Sequence, residues 1–250
     1  MPRYFIRLAY NGTNYKGWQV QPGTLTVQSE LEKALSLILR AEVEIVGCGR
    51  TDTGVHASDY YAHFDLAAGI KDTADLVYKL NKFLAPAIAI KEIFEVADTA
   101  HARFDATQRV YEYKVVRQKN PFTQNLAYYF HGDLDVDAMN AAAALLLGNK
   151  DFKAFSKTHT DVKTTICNVT FAQWEVRGEV LVFTIAANRF LRNMVRAIVG
   201  TLIEVGRGKR SFDEFSDVIN SLERSEAGDS APAEGLYLAK ITYPSIIFKA

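Results

Sequence analysis

Cysteine is scarce in this chain. Its two copies, Cys48 and Cys167, lie far apart with no CxxC spacing, so neither a zinc centre nor a disulfide framework is expected. Both read as small buried hydrophobes. Long apolar runs are missing as well: none approaches the ~20 residues that cross a bilayer, so no membrane partner is expected. Met1-Pro2-Arg3-Tyr4 leads directly into strand-like alternation rather than a signal peptide, which points to a cytoplasmic location. The histidines at 56, 63, 101, 131 and 159 are scattered without metal-ligand spacing, and no metal is expected. Net charge is absent too, since 29 Lys and Arg balance 29 Asp and Glu. Bulk charge therefore names no polyanionic partner.

What is present is charge of unequal distribution. Between Arg189 and Arg210 six basic residues face the single acid Glu204, and between Asp213 and Glu234 seven acids face Arg224. A cationic stretch on an otherwise neutral protein is the footprint of a nucleic-acid binder, against the plainer reading of solvated helix faces.

Hydrophobic periodicity orders the chain. Arg3 to Tyr10 alternates as a strand. Thr26 caps a helix through Leu39, and Val43, Ile45 and Val46 before the Gly49 to Ala57 run and Tyr60, Tyr61 and Phe64 after it read as strands. Asp72 or Thr73 starts a helix to about Leu84, and Ile88 to Val96 is a strand. A looser repeat follows. It has strands from Gln108 to Val116 and near Tyr128, a helix from about Val136 to Leu147, and strands at Thr165 to Val176 and Val180 to Ala187. Helices at Phe190 to Val205 and about Phe212 to Leu222 precede a last strand at Gly235 to Tyr243. The short connections within each half favour antiparallel pairing, hence an α+β fold with halves at 1–104 and 105–250 and no Pro- or Ser-rich linker between them.

Three runs carry candidate chemistry. Gly49-Arg50-Thr51-Asp52-Thr53-Gly54-Val55-His56-Ala57 places a carboxylate in a polar turn beside a cation, with Gly49 and Gly54 allowing unusual torsions and close approach. Loops on a rigid scaffold collect catalytic groups, though an Asp beside Gly is also an ordinary turn residue. His101-Ala102-Arg103-Phe104-Asp105-Ala106 runs on into Arg109, Tyr111 and Tyr113, which share a strand face suited to stacking a base and holding phosphate, or simply to packing. In Asn188 to Arg196, Arg189, Arg192 and Arg196 fall at i, i+3 and i+7 of the expected helix. A partly buried Arg there requires a carboxylate or phosphate partner. Ser156 to Lys163 reads as a polar, basic loop, solvated or touching an RNA backbone.

The first run resembles the motif GRTDAGVHA of the TruA family of tRNA pseudouridine synthases, with Thr53 in place of Ala. Tyr15-Lys16-Gly17-Trp18-Gln19-Val20-Gln21, the His101 to Ala106 run with Tyr111 and Tyr113, Phe190 to Arg196 with Val199-Gly200-Thr201-Leu202, and Ala231 to Leu236 agree in order. The resemblance spans nearly the whole chain. It implies cofactor-free isomerisation of uridine to pseudouridine at positions 38, 39 and 40 of the tRNA anticodon stem-loop, by a homodimer. It also implies two RRM-like (ferredoxin-like) halves forming a continuous antiparallel sheet, with helices on one face and an active-site cleft between the halves. By motif position Asp52 is the catalytic carboxylate, Tyr111 the ring stacked on the target base, and Arg196 the cation paired with Asp52. Arg50 helps hold the flipped nucleotide, and Arg103, Arg109 and Arg192 are further RNA-binding candidates.

Two rival readings remain open at this point. Asp52-Thr53-Gly54 is also the aspartic-protease triplet, but that chemistry needs two such carboxylates and the chain carries one copy. A non-catalytic RNA-binding module would use the aromatic and arginine faces without needing Asp52.

Overall fold

The computed structural model describes residues 1–157 and 163–249. Most of the Ser156 to Lys163 loop anticipated above lies outside the described residues. The chain divides into two compact units, Met1–Thr107 together with the C-terminal stretch from Tyr237, and Gln108–Leu236. The sequence reading breaks the chain at 104/105 and leaves its end with the second half. Here the last strand falls with the first unit.

In the first unit β1 (Arg3–Tyr10) lies between β3 (His56–Asp65) and β4 (Ile88–Val96), antiparallel to both. β2 (Val46–Gly47) adds antiparallel to β3, and β10 (Leu236–Thr242) adds parallel to β3 through Tyr237↔His56 and Leu238↔Ala57. That parallel pair departs from a purely antiparallel sheet: the returning chain end meets the start of β3 running in the same direction. Helix α1 (Val27–Leu39) starts where expected, because the Thr26 hydroxyl and Ser29 close a capping box, and it buries Val27, Leu31, Ala34 and Leu35. Asp72 caps α2 (Thr73–Phe83) by accepting from the Asp75 amide at 3.0 Å. β1 is buried on both faces through Tyr4, Phe5 and Ile6, and Phe5 packs against His63, Phe94 and Tyr243.

The second unit is built on β5 (Gln108–Val116), β9 (Val180–Ala187), β8 (Ile166–Arg177) and β7 (Gly148–Asp151), neighbours in that order and all antiparallel, with β6 (Tyr128–Tyr129) parallel to β5. β8 turns into β9 through Gly178 at φ 62°. Helices α3 (Val136–Ala144), α4 (Met194–Gly206) and α5 (Phe212–Ser221) complete it. α3 ends short of Leu147 because Leu145 to Leu147 turn into β7, a strand too short and polar to show in the sequence. α4 begins at Met194 and not at Phe190. Asn193 sits at φ 67°, and the Met194 amide donates to Leu191 O at 3.2 Å, so a turn precedes the helix. Arg189 and Arg192 therefore lie before α4, and the expected three-arginine stripe on one helix is reduced to Arg196.

Cys48 and Cys167 are buried and form no disulfide, and burial pushes the Cys167 thiol up to about 11. No helix among the described residues is long and apolar enough to cross a membrane.

Candidate active site

Asp52 sits half-buried on the loop between β2 and β3, and its neighbours are tied down on every side. The Thr51 carbonyl accepts from the Trp18 amide at 3.2 Å, and its hydroxyl is 2.8 Å from the Tyr10 hydroxyl. The Cys48 amide donates to Tyr61 O at 2.8 Å, and the Tyr60 hydroxyl donates to the Gly49 carbonyl. The Val55 amide closes the turn back onto the Asp52 carbonyl at 3.1 Å. Underneath, Trp18 stacks on Tyr60 with centroids 4.1 Å apart, and Tyr10 meets the same ring at 5.5 Å. Such a loop holds a carboxylate in one place.

Three glycines make that packing possible. Gly54 adopts φ 77° within the turn. Gly17, at φ 86°, approaches so closely that a Cβ would lie 2.5 Å from the Thr51 carbonyl oxygen, and a Cβ on Gly12 would lie 2.0 Å from the oxygen of Val55. Gly49 differs from expectation: it has no positive φ, and a Cβ there would meet nothing within 4 Å. His56 is a strut of the loop. It is buried, stacks on Tyr237 at 4.6 Å, and accepts the Gly12 amide on Nδ1 at 3.1 Å.

Arg50 and Arg103 come together. With Trp18, Gln19, Gln28, Val46 and Gly49 they line a cleft of about 140 Å3 beside the Asp52 loop. The Arg50 Nε donates to Gln19 Oε1 at 3.1 Å. Gln19 and Trp18 were visible in the sequence only as members of the Tyr15 to Gln21 run, with no role attached. Arg103 is exposed, on a turn whose geometry His63 and His101 set. The Ala102 amide donates to His63 Nδ1 at 3.1 Å, and burial, with Arg3 and His101 adding to it, lowers the His63 pKa to about 4.

In the second unit the Arg109 Nη1 donates to the Asn188 carbonyl at 2.9 Å, and the half-buried Tyr111 meets Phe190 edge-on at 5.1 Å. The 188–190 segment thus ties both β5 candidates together. Arg196 and Tyr113 grip adjacent carbonyls: Arg196 Nε donates to Ala231 O at 2.7 Å and the Tyr113 hydroxyl to Pro232 O at 2.8 Å. The Ala231 amide returns a bond to Arg196 O at 2.9 Å, so the half-buried guanidinium is fixed relative to its own helix. Burial raises the Tyr113 phenol well above its ordinary range, and it stays neutral. Arg192 is exposed in the turn before α4. Among the described residues no group of three or more His, Cys, Asp or Glu side chains is placed to hold a metal ion.

Residues 142–244 match the family model described as tRNA pseudouridine synthase, and the likeness to individual proteins extends over nearly the whole chain. A tRNA pseudouridine synthase A from Parabacteroides distasonis is 52% identical over 248 residues, covering 99% of this chain and 98% of that protein. One from Bacteroides thetaiotaomicron is 53% identical over 251 residues, covering 99% and 93%. One from Anoxybacillus flavithermus is 40% identical over 245 residues, covering 97% and 99%.

Proposed function

Because this chain belongs to the TruA family of tRNA pseudouridine synthases, isomerases that convert uridine in tRNA to pseudouridine, we propose that Asp52 is its catalytic carboxylate and that its targets are uridines 38, 39 and 40 of the anticodon stem-loop. The observation that carries this reading is the Asp52 loop itself: a half-buried carboxylate on a segment anchored by Thr51, Gly49 and Val55, in a chain that is similar to its relatives over nearly its whole length.

The reaction breaks the N1–C1′ bond of uridine, turns the uracil and rejoins it through C5. The C5 proton is lost and N1 gains one, so nothing is oxidised or reduced, and no cofactor is called for. One carboxylate can serve it by attacking C1′, by stabilising an oxocarbenium-like sugar, by drawing the C2′ proton or by adding to C6. Tyr111 offers a ring for the target base, and its strand position beside Arg109 lets stacking and phosphate contact act together. Arg196 supplies the cation such a carboxylate needs. A uridine in a paired stem must leave the stack at a cost of a few kcal/mol, and Arg50, Arg103, Arg109 and Arg192 are the phosphate contacts that offset it. The working unit is a homodimer in the cytoplasm. The non-catalytic RNA-binding alternative is not favoured, because relatives 52% and 53% identical over nearly the whole chain are tRNA pseudouridine synthases.

Primer extension after carbodiimide treatment of a modified tRNA transcript tests the target positions. Stops are expected one nucleotide before uridines at 38 to 40 and nowhere else in the transcript. A stop pattern confined to another arm would refute the anticodon-stem assignment.

A further inference from the structure

Phe104 is 73% exposed, yet the turn that carries it is among the more heavily tied segments of the first unit. His101 Nδ1 accepts the amides of both Arg103 and Phe104, at 3.1 and 3.3 Å, while the His101 amide donates to Asp105 Oδ2 at 2.7 Å. Below, Arg3 Nη1 donates to the Ala100 carbonyl at 2.8 Å and the Tyr243 hydroxyl to Ala102 O at 2.6 Å. The Phe104 ring leans on the His101 imidazole at 4.3 Å, and the Arg103 guanidinium lies 5.6 Å from the ring centroid. A turn held this firmly presents its aromatic ring to solvent in one fixed orientation. Single exposed apolar residues are common and need no explanation. This one is paired with a cation, and that cation lines the cleft shared with Arg50 beside the Asp52 loop.

We propose that Phe104 is a stacking platform for an unpaired base of the RNA substrate, next to the nucleotide being modified, with Arg103 and Arg50 taking the phosphate between them. The inference rests on the reading of the protein as a tRNA-modifying enzyme. Its chemistry is that of single-strand recognition: an aromatic face for any base and a guanidinium for the backbone. An exposed ring that is already oriented loses little freedom on binding, which favours this role over a flexible surface contact.

Three variants test it, Phe104→Ala, Phe104→Leu and Phe104→Trp, with affinity for a fluorescein-labelled anticodon stem-loop RNA read by polarisation. Ala and Leu are expected to weaken binding about tenfold, the range of one lost base–aromatic stack. Trp is expected to bind as wild type, with a quenching in the complex beyond that of the wild-type protein, whose Trp18 and Trp174 also emit. Because the ring is exposed, all three should melt within about 2 °C of wild type. Wild-type affinity in the Leu variant, or quenching of the Trp variant no greater than that of wild type in a saturated complex, would overturn stacking. A smaller species by sedimentation for Phe104→Ala would make the residue a protein–protein contact and equally overturn it. Wild-type protein that binds the RNA but forms no pseudouridine would sink the enzymatic reading alone, and the polarisation results would still decide the role of Phe104.

Discussion

Gly17 holds the Asp52 loop in place by having no side chain. With φ 86° and the Thr51 carbonyl 2.5 Å from where a Cβ would sit, Gly17→Ala forces the loop and the Tyr15 to Trp18 segment apart. A stability loss of about 1–3 kcal/mol is expected in urea unfolding, with turnover falling further than stability because the carboxylate is displaced. Wild-type turnover in this variant would show that the loop tolerates the shift. His63 gives the fold a sensitivity to acid. Its folded-state pKa, about 4, lies below the ordinary value of 6.5, so the unfolded chain binds the proton more readily. The stabilisation is therefore complete above about pH 6.5 and is lost as pH falls towards 4. The groups around it are Arg3, held to Asp65 at 2.7 Å, His101 and Asp105. His63→Gln should flatten the fall of the urea midpoint between pH 6.5 and 4, and an unchanged slope would assign the acid sensitivity to other groups.

Among the elements, α4 and the segment after α5 act as one piece. A Cβ on Gly200 would lie 1.7 Å from the Asp229 carbonyl oxygen. Thr201 Oγ1 donates to Ala197 O at 2.8 Å and accepts the Gly228 amide at 3.0 Å. Thr201→Val leaves that buried amide unpaired and should cost about 1–3 kcal/mol of stability. Because the same segment carries the carbonyl that holds Arg196, the variant should also lose activity; full activity at reduced stability would separate the two. This dependence was hidden in the sequence, which shows Val199 to Leu202 and Ala231 to Leu236 as two separate motif stretches and not as contacts of one another. Other elements were plain. β4 and β5 follow their sequence ranges residue for residue, because β-branched and aromatic residues recur along each range between turn signals. α1, α2 and α5 start at their capping residues. The start of α4 was misplaced because Phe190 to Asn193 keeps helical spacing while Asn193 turns left-handed, a torsion that no periodicity reveals. Likewise the Asp52 motif was legible as a run, whereas the aromatic stack under it, Trp18 on Tyr60, is a tertiary contact between segments far apart in the chain.

For the whole molecule, net neutrality hides an uneven distribution of charge that suits a polyanionic RNA. Arg50 and Arg103 share one cleft, and the basic run from Arg189 to Arg210 is interleaved with the turn and helix that carry Arg192 and Arg196. Affinity for tRNA should accordingly fall steeply and log-linearly with salt, since each phosphate contact releases counterions. A flat dependence would remove these arginines from the interface. Asp52→Ala, by contrast, takes away a carboxylate and no phosphate contact, so its tRNA affinity should stay within about tenfold of wild type, or 1.4 kcal/mol. The role of Asp52 is decided by tritium release from a tRNA transcript labelled at uridine C5, without added cofactor or metal, for wild type and Asp52→Ala side by side. Release is expected from the wild type and none from the variant, with both bound to the RNA; release above a few per cent from Asp52→Ala, or none from bound wild type, would rule out Asp52 as the catalytic carboxylate of a pseudouridine synthase.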